Sequence, residues 1–186
     1  MKVLHLYKTY LPDTFGGVEQ GIQNICRETI KQGNENTILT LSPRSRLDNF
    51  DYAKVIRYPI TLDFASCPMS VKLWGKFKQH INQADIIHYH FPWPFIELLH
   101  LWHKVNKPTV VTYHSDIVKQ RLLKKIYKPV MKRFLTSADQ IIVTSRNYSD
   151  SSHDLKAYCD KIGVIPMGID KTSYPQPSLE IVQRWR

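Results

Sequence analysis

The sequence predicts an α/β fold, a Rossmann-like and mostly parallel sheet with helices on both faces. Three observations predict it. Short runs rich in Val, Ile, Leu, Thr and Tyr alternate with longer segments of helical period through most of the 186 residues. Two of these runs, Val3–Tyr7 and Val110–Tyr113, are nearly continuous in apolar character, as strands covered on both faces are. The length suits one such domain with a sizeable core, and 42% hydrophobic with 23% charged residues is ordinary for a globular chain.

The elements follow in order. Lys2–Tyr7 reads as the first strand. Gly17–Gln32 reads as a helix, with Val18, Ile22, Ile25, Cys26, Thr29 and Ile30 on one face and Gly33 as its stop. Thr37–Leu41 and Val55–Tyr58 are strand-like, but Pro43–Pro68 breaks the regularity. That stretch reads as an excursion, a β-hairpin-like insert near the binding edge. Helices at Val71–Gln83, Pro94–Val105, Ile117–Leu135 and Asn147–Cys159 then alternate with strands at Asp85–Tyr89, Thr109–Tyr113, Gln140–Thr144 and Gly163–Ile165. Pro129 should kink or break its helix. Val164–Asp170 runs out into Tyr174-Pro175-Gln176-Pro177, the composition of an interdomain linker. Residues 1–170 are therefore expected to form the domain, and 171–186 a linker or the start of a crossover to another domain.

Several classes are excluded. No apolar run is long enough to span a bilayer, and Met1–Tyr10 lacks the features of a signal peptide, so a cytoplasmic protein is expected. Cys26, Cys67 and Cys159 lie far apart and form no C-x-x-C pair, which argues for reduced thiols. Neither G-x-G-x-x-G nor a Walker A sequence occurs, against a dinucleotide oxidoreductase or a P-loop ATPase. The net charge of +10 predicts an anionic partner without choosing among nucleic acid, lipid and phosphorylated substrate. No recognition-helix, zinc-finger or RNP-type pattern is present, so nucleic acid is not expected.

In a parallel sheet, ligands sit at the carboxyl ends of the strands. After the first strand comes Tyr10-Leu11-Pro12-Asp13-Thr14-Phe15-Gly16-Gly17. Gly16 and Gly17 open a helix and let backbone N–H groups approach a phosphate or sugar, with Tyr10 nearby; a turn that merely needs glycine explains the pair as well. After the fourth comes His88-Tyr89-His90-Phe91-Pro92-Trp93. His88 and His90 are expected on opposite sides of the strand and so not to share a metal; no zinc spacing is present, and no metal is assigned. His90 is read as lining a pocket, and His88 as packed or hydrogen-bonded. Phe91 and Trp93 either stack on a sugar or cap the core. After the fifth strand, His114 can hydrogen-bond a sugar hydroxyl or stabilise developing charge, with Ser115 beside it and Asp116 as a helix N-cap. After the sixth, Ser145 is an N-cap by type, and Arg146 either meets a phosphate or is solvated.

These pieces together resemble the family-4 glycosyltransferases, retaining enzymes of the GT-B fold. The resemblance rests on Gly16-Gly17-Val18-Glu19, Asp85–His90, Thr112–Asp116, Ala138–Ser145 and Val164–Asp170, and covers essentially the whole chain. Met167 stands where Asn is more usual in the last of these. The resemblance implies an N-terminal, acceptor-side domain facing a second domain that binds the nucleotide-sugar donor. It implies that the glycine loop (Gly16, Gly17) approaches donor phosphates or acceptor, and that His114 contacts the transferred sugar. It also implies no cofactor and no metal, the nucleotide-sugar being a substrate. The donor domain of such enzymes carries two glutamates separated by seven residues, a spacing no pair in this chain has. The chain is therefore expected to be one half of the enzyme and inactive alone.

Ile117–Leu135 contains Lys119, Arg121, Lys124, Lys125, Lys128, Lys132 and Arg133 and no acid. Apolar pairs recur along it, so one stripe should pack on the sheet while the basic face meets anionic lipid, each cation contributing about 1 kcal/mol. Lys72, Lys76 and Lys78, near Trp74 and Phe77, form a second candidate surface. That fits a peripheral enzyme at the inner face of the membrane, acting on a lipid-linked or saccharide acceptor in cell-envelope polysaccharide or glycolipid synthesis.

Overall fold

The computed structural model describes residues 1–116, 121–168 and 183–184, and for 121–125 the backbone alone. The expected linker 171–186 lies outside the described residues except for that last pair. The elements are β1 (Lys2–Leu6), α1 (Gly17–Lys31), β2 (Glu35–Ser42), β3 (Arg46–Asn49), β4 (Lys54–Pro59), β5 (Leu62–Phe64), β6 (Cys67–Met69), α2 (Val71–Gln83), β7 (Ile86–Phe91), α3 (Pro94–Trp102), β8 (Thr109–Tyr113), α4 (Arg121–Ser137), β9 (Gln140–Val143), α5 (Arg146–Ser151) and β10 (Ile162–Val164). Eight strands form one sheet in the order β10-β9-β8-β7-β1-β2-β4-β3. Every pairing in it is parallel except β3 with β4.

Alternation along the strands divides two cores. On one face Leu4, Leu6, Leu39 and Leu41 pack with Leu73, Phe77 and Ile81 of α2, Phe95 and Leu99 of α3 and Met131 and Phe134 of α4. On the other, Ile38 and Val55 pack with Ile22 and Cys26 of α1. Helix α1 ends as its sequence demands, since Gly33 at φ +79° takes the left-handed position after the last turn.

The Pro43–Pro68 excursion is two pieces. Strand β3 folds back on β4, and β5–β6 is a separate two-stranded ribbon whose turn residues Ala65 and Ser66 both have positive φ. Lys8 Nζ donates to the Ser66 carbonyl at 3.3 Å, which brings the ribbon to the loop after β1, the expected edge.

Three helices differ from expectation. Helix α3 stops at Trp102 because Lys104 turns left-handed at φ 47°, with Val105 N–H bonded to His100 O and Lys104 N–H to Leu101 O, a Schellman ending. Helix α4 runs through Pro129 without interruption. Helix α5 is one short piece, Arg146–Ser151, followed by a 3-10 turn at Lys156–Lys161. The Ser149–Ser152 stretch explains the break: serine and aspartate side chains compete for backbone partners, and buried Ser152 donates its Oγ–H to Asp116 Oδ1 at 3.0 Å.

One buried carboxyl helps hold α3. Glu97 accepts from its own helix's leading Trp93 N–H at 3.0 Å and pairs with the Tyr127 hydroxyl of α4. Burial pushes its pKa up to about 8, so it is a neutral partner at ordinary pH.

Candidate active site

From β1 the sheet grows through β2 and β4 on one side and through β7, β8, β9 and β10 on the other. The order thus reverses between β1 and β7, and the ligand crevice of such sheets opens at that point, outside the carboxyl ends. Tyr7 and His114 gather there, with His90 buried behind them. The Tyr7 ring lies 6.4 Å from that of His90 and 6.5 Å from that of His114.

Behind them stands a column of imidazoles on the α1 face of the sheet. Register places His5 beside His88, and His90 beside Thr112. Asn36 Oδ1 lies 3.4 Å from His5 Nε2, His5 Nδ1 lies 3.4 Å from His90 Nε2, and His90 Nδ1 lies 3.1 Å from His114 Nε2. His88 branches from the column and bonds Thr112 Oγ1 at 2.7 Å. His5 and His90 are buried, while His88 and, at the crevice end, His114 are half-buried. Burial lowers the pKa of His5 and His114 to about 4 and those of His88 and His90 well below the ordinary 6.5. The column is therefore neutral at neutral pH.

The expectation that His88 and His90 face opposite sides is corrected. Residues two apart on a strand share a face, and their rings stack with centroids 4.3 Å apart and 30° between planes. Ring nitrogens of His5, His88 and His90 come within 4.8 Å of one another, close enough for a metal by distance alone. The ring planes tell against it. An imidazole ligates in its own plane, and two nearly parallel rings stacked face to face do not aim at one point.

The glycine loop is built around a carboxylate. Glu19 folds back over the start of α1 and accepts at Oε1 from Thr9 Oγ1 at 2.8 Å and from Thr14 Oγ1 at 2.7 Å. A Cβ on Gly16 would lie 2.6 Å from Glu19 Oε2, so a side chain there would push the folded-back carboxylate aside. A Cβ on Gly17 would meet nothing within 4 Å. Glu19 is itself buried, so the carboxylate and the two hydroxyls that bond it hold the loop together at the helix N-terminus, where the dipole favours a negative group.

A family model described as Glycosyltransferase Family 4 matches residues 15–173. The chain belongs to glycosyltransferase family 4. It is 44% identical over 188 residues to D-rhamnosyltransferase WbpZ of Pseudomonas aeruginosa, covering 100% of this chain and 49% of the relative. It is equally 44% identical over 188 residues to O-antigen chain mannosyltransferase C of Escherichia coli, covering 100% of this chain and 50% of the relative. The chain thus spans about half the length of the curated relatives it matches. Among solved structures, sucrose-phosphate synthase of Thermosynechococcus elongatus superposes with TM-score 0.68 at 15% identity, over 100% of this chain and 52% of that one. Anabaena Alr3699/HepE in complex with UDP and glucose gives 0.66 at 16% identity, over 99% and 49%. At these identities the likeness shows the fold.

The remaining expected site residues of this family-4 domain are placed as follows. Tyr10 is fully buried under α1 and offers a ligand nothing; its carbonyl instead accepts from Arg57. His90 is buried behind His114 and lines no open pocket. Phe91 and Trp93 are core residues, and Trp93 Nε1 donates to the Pro68 carbonyl at 3.0 Å. Ser115 is exposed. Asp116 Oδ1 accepts from the Tyr113 hydroxyl at 2.8 Å and from Ser152 rather than capping a described helix. Ser145 caps α5, accepting from Tyr148 N–H at 3.2 Å, and Arg146 is exposed beside it. Sequence reading passes over Tyr7, Glu19, His5 and Asn36 as site residues. Its available signal was a polar His5 inside an otherwise apolar strand, since a buried polar group needs a built partner.

On the opposite helical layer, Lys132 and Arg133 are exposed, while Lys128 is half-buried and 3.9 Å from Asp154. Lys119 lies outside the described residues, as do the side chains of Arg121, Lys124 and Lys125. On α2, Lys72, Lys76 and Lys78 are exposed. Phe77 is in the core, a correction, and the aromatic surface is instead Trp74, 40% exposed, against Trp102, 69% exposed, with ring centroids 5.5 Å apart. Among the described residues no helix is long and apolar enough to cross a membrane.

Proposed function

We propose that this chain is the acceptor-side half of a retaining glycosyltransferase. The whole enzyme transfers a sugar from a nucleotide-sugar, bound by a second domain, to a saccharide or lipid-linked acceptor in cell-envelope polysaccharide synthesis. The names of the two curated relatives favour a rhamnosyl or mannosyl donor. The observation that carries the reading is His114, a neutral imidazole at the carboxyl end of β8, beside the β1–β7 reversal and at the open end of a built hydrogen-bonded column. Such a group meets the transferred sugar, and Gly16, Gly17, Ser115, Ser145 and Arg146 border the same edge of the sheet. Neither cofactor nor metal enters; protein groups meet the leaving phosphate. In the whole enzyme, assayed against a panel of nucleotide-sugars, His114→Ala should lower kcat/KM by about 10²-fold with an unchanged thermal midpoint. Undiminished turnover would remove His114 from the site and this reading with it.

The enzyme works from the cytoplasm at the inner membrane face. Trp74 and Trp102 supply the apolar contact, and Lys72, Lys76, Lys78, Lys132 and Arg133 the charge. Helices α2 and α4 contain no acid, and the single acid of α3 is the buried, neutral Glu97. Vesicle co-sedimentation should favour anionic over neutral lipid, and Trp74→Ser with Trp102→Ser should weaken it. Equal binding to both lipids would end the membrane assignment.

A further inference from the structure

The column behind His114 has a direction. Asn36 Nδ2 donates to two backbone carbonyls, Cys26 O at 3.0 Å and Tyr52 O at 3.2 Å, which fixes the side-chain amide and leaves Oδ1 as the end facing His5. An amide oxygen only accepts, so His5 must carry its proton on Nε2. A neutral His5 then has a bare Nδ1, which accepts from His90 Nε2–H. By the same step His90 Nδ1 is bare and accepts from His114 Nε2–H. His114 Nδ1 is what remains, with no hydrogen-bond partner among the described residues.

We infer that Asn36, His5 and His90 are positioning residues that lock His114 as the Nε2–H tautomer, so that it offers the ligand an acceptor, Nδ1, and reads a hydroxyl group. The inference rests on the reading that His114 meets the sugar, and sharpens it. A locked acceptor favours an O–H donor on the ligand and disfavours a phosphate oxygen, which would need an N–H. It also explains why polar side chains occupy the buried middle of β1 and β7, where apolar residues would pack at lower cost. Three rings in series pass the constraint from the fixed amide to the crevice, because each neutral imidazole has one donor and one acceptor.

Long-range proton–nitrogen correlation spectra of the isotope-labelled chain at neutral pH test this. His5, His90 and His114 should each show the Nε2–H pattern. His90→Phe keeps a ring but removes the acceptor, and His114 should become a mixture of tautomers. His90→Asn places Oδ1 where Nδ1 stood, and should restore the single Nε2–H form. In the whole enzyme His90→Phe should lower kcat/KM about tenfold, the worth of one hydrogen bond, with His90→Asn recovering part of it. A wild-type His114 protonated on Nδ1, or a mixture, overturns the inference even if the variants fail to fold. So does a His114 tautomer that His90→Phe leaves unchanged. A normal turnover for His114→Ala would instead overturn the site assignment while the spectra still stood.

Discussion

Acidification below pH 6.5 should unfold this protein steeply. His5, His88, His90, His100 and His114 all have lowered pKa values, and burial is the leading cause for each. Above the ordinary value of 6.5 folded and unfolded chains are alike at these groups, and the folded state bears no penalty. Below it the unfolded chain takes up protons that the folded chain refuses, down to about pH 4 for His5, His100 and His114. The histidine contribution is thus fully present well above 6.5 and lost as pH falls through it. Glu97 opposes this. Its raised value means that stability grows as pH falls from about 8 toward 4.5. Over the first unit below 6.5 the unfolded imidazole passes from half to nearly full protonation, worth about 1 kcal/mol for each of the five histidines, and Glu97 returns about 1.4, so that unit removes on the order of 4 kcal/mol. Domains of this size have about 5–15 kcal/mol in all. The thermal midpoint should therefore peak at about pH 7, where the two opposing slopes cancel, and fall steeply from 6.5 to about 5. His100→Gln, outside the column, should lessen the slope by one proton. A midpoint that stays flat from pH 6.5 to about 5 would sink the account.

The same residues show what can be read from one sequence. The sheet was legible because β1 and β8 are apolar nearly throughout and turn residues bound the strands. The insert was legible from its three prolines, though not as a hairpin arm on β4 plus a separate ribbon, since pairing partners are chosen by the sheet edge and not by local propensity. His114 was legible as a strand-end residue. His5 and Asn36 were not, because their meaning lies in which strands are neighbours. Val3 pairs with Asn36 and with Ile86, and that register alone brings His5, Asn36 and His90 into one column. Tyr10 was misread for the opposite reason. Its place in the loop after β1 suggested a ligand, but the loop turns inward and buries it beneath α1. The basic face was legible as composition, and its aromatic partner, Trp102 against Trp74, required packing between α2 and α3.

Replacing Arg57 should cost the fold more than any other single cation. Nothing in Val55–Tyr58 marks it: a basic residue in a short strand near a sheet edge reads as solvated. In the structure its side chain is fully buried. Nε donates to Asp48 Oδ2 at 2.7 Å, Nη1 to Asp13 Oδ2 at 3.2 Å and to Tyr10 O at 3.4 Å, and Nη2 to Leu11 O. The guanidinium thus ties β3 to β4 and holds the loop that carries the chain from β1 to Gly16. Burial works against ionising Asp48, but hydrogen bonds from Arg57 and Arg46 hold its pKa below the ordinary value. Arg57→Met would take one cation from two carboxylates that keep Arg46, and would leave the Tyr10 and Leu11 carbonyls without their donor. Breaking a buried pair costs about 3–5 kcal/mol, and the lower end applies because Asp13 and Asp48 keep some water. Arg57→Lys should lose nearly as much, since one ammonium cannot span groups that a planar fork reaches in three directions. Arg46→Ala, the exposed partner of the same carboxylates, should cost under about 1 kcal/mol. Urea unfolding of the three variants decides it. A loss below about 1 kcal/mol for Arg57→Met would mean that the glycine loop is held by its own packing around Tyr10 and Leu11, and that the buried guanidinium contributes geometry without stability.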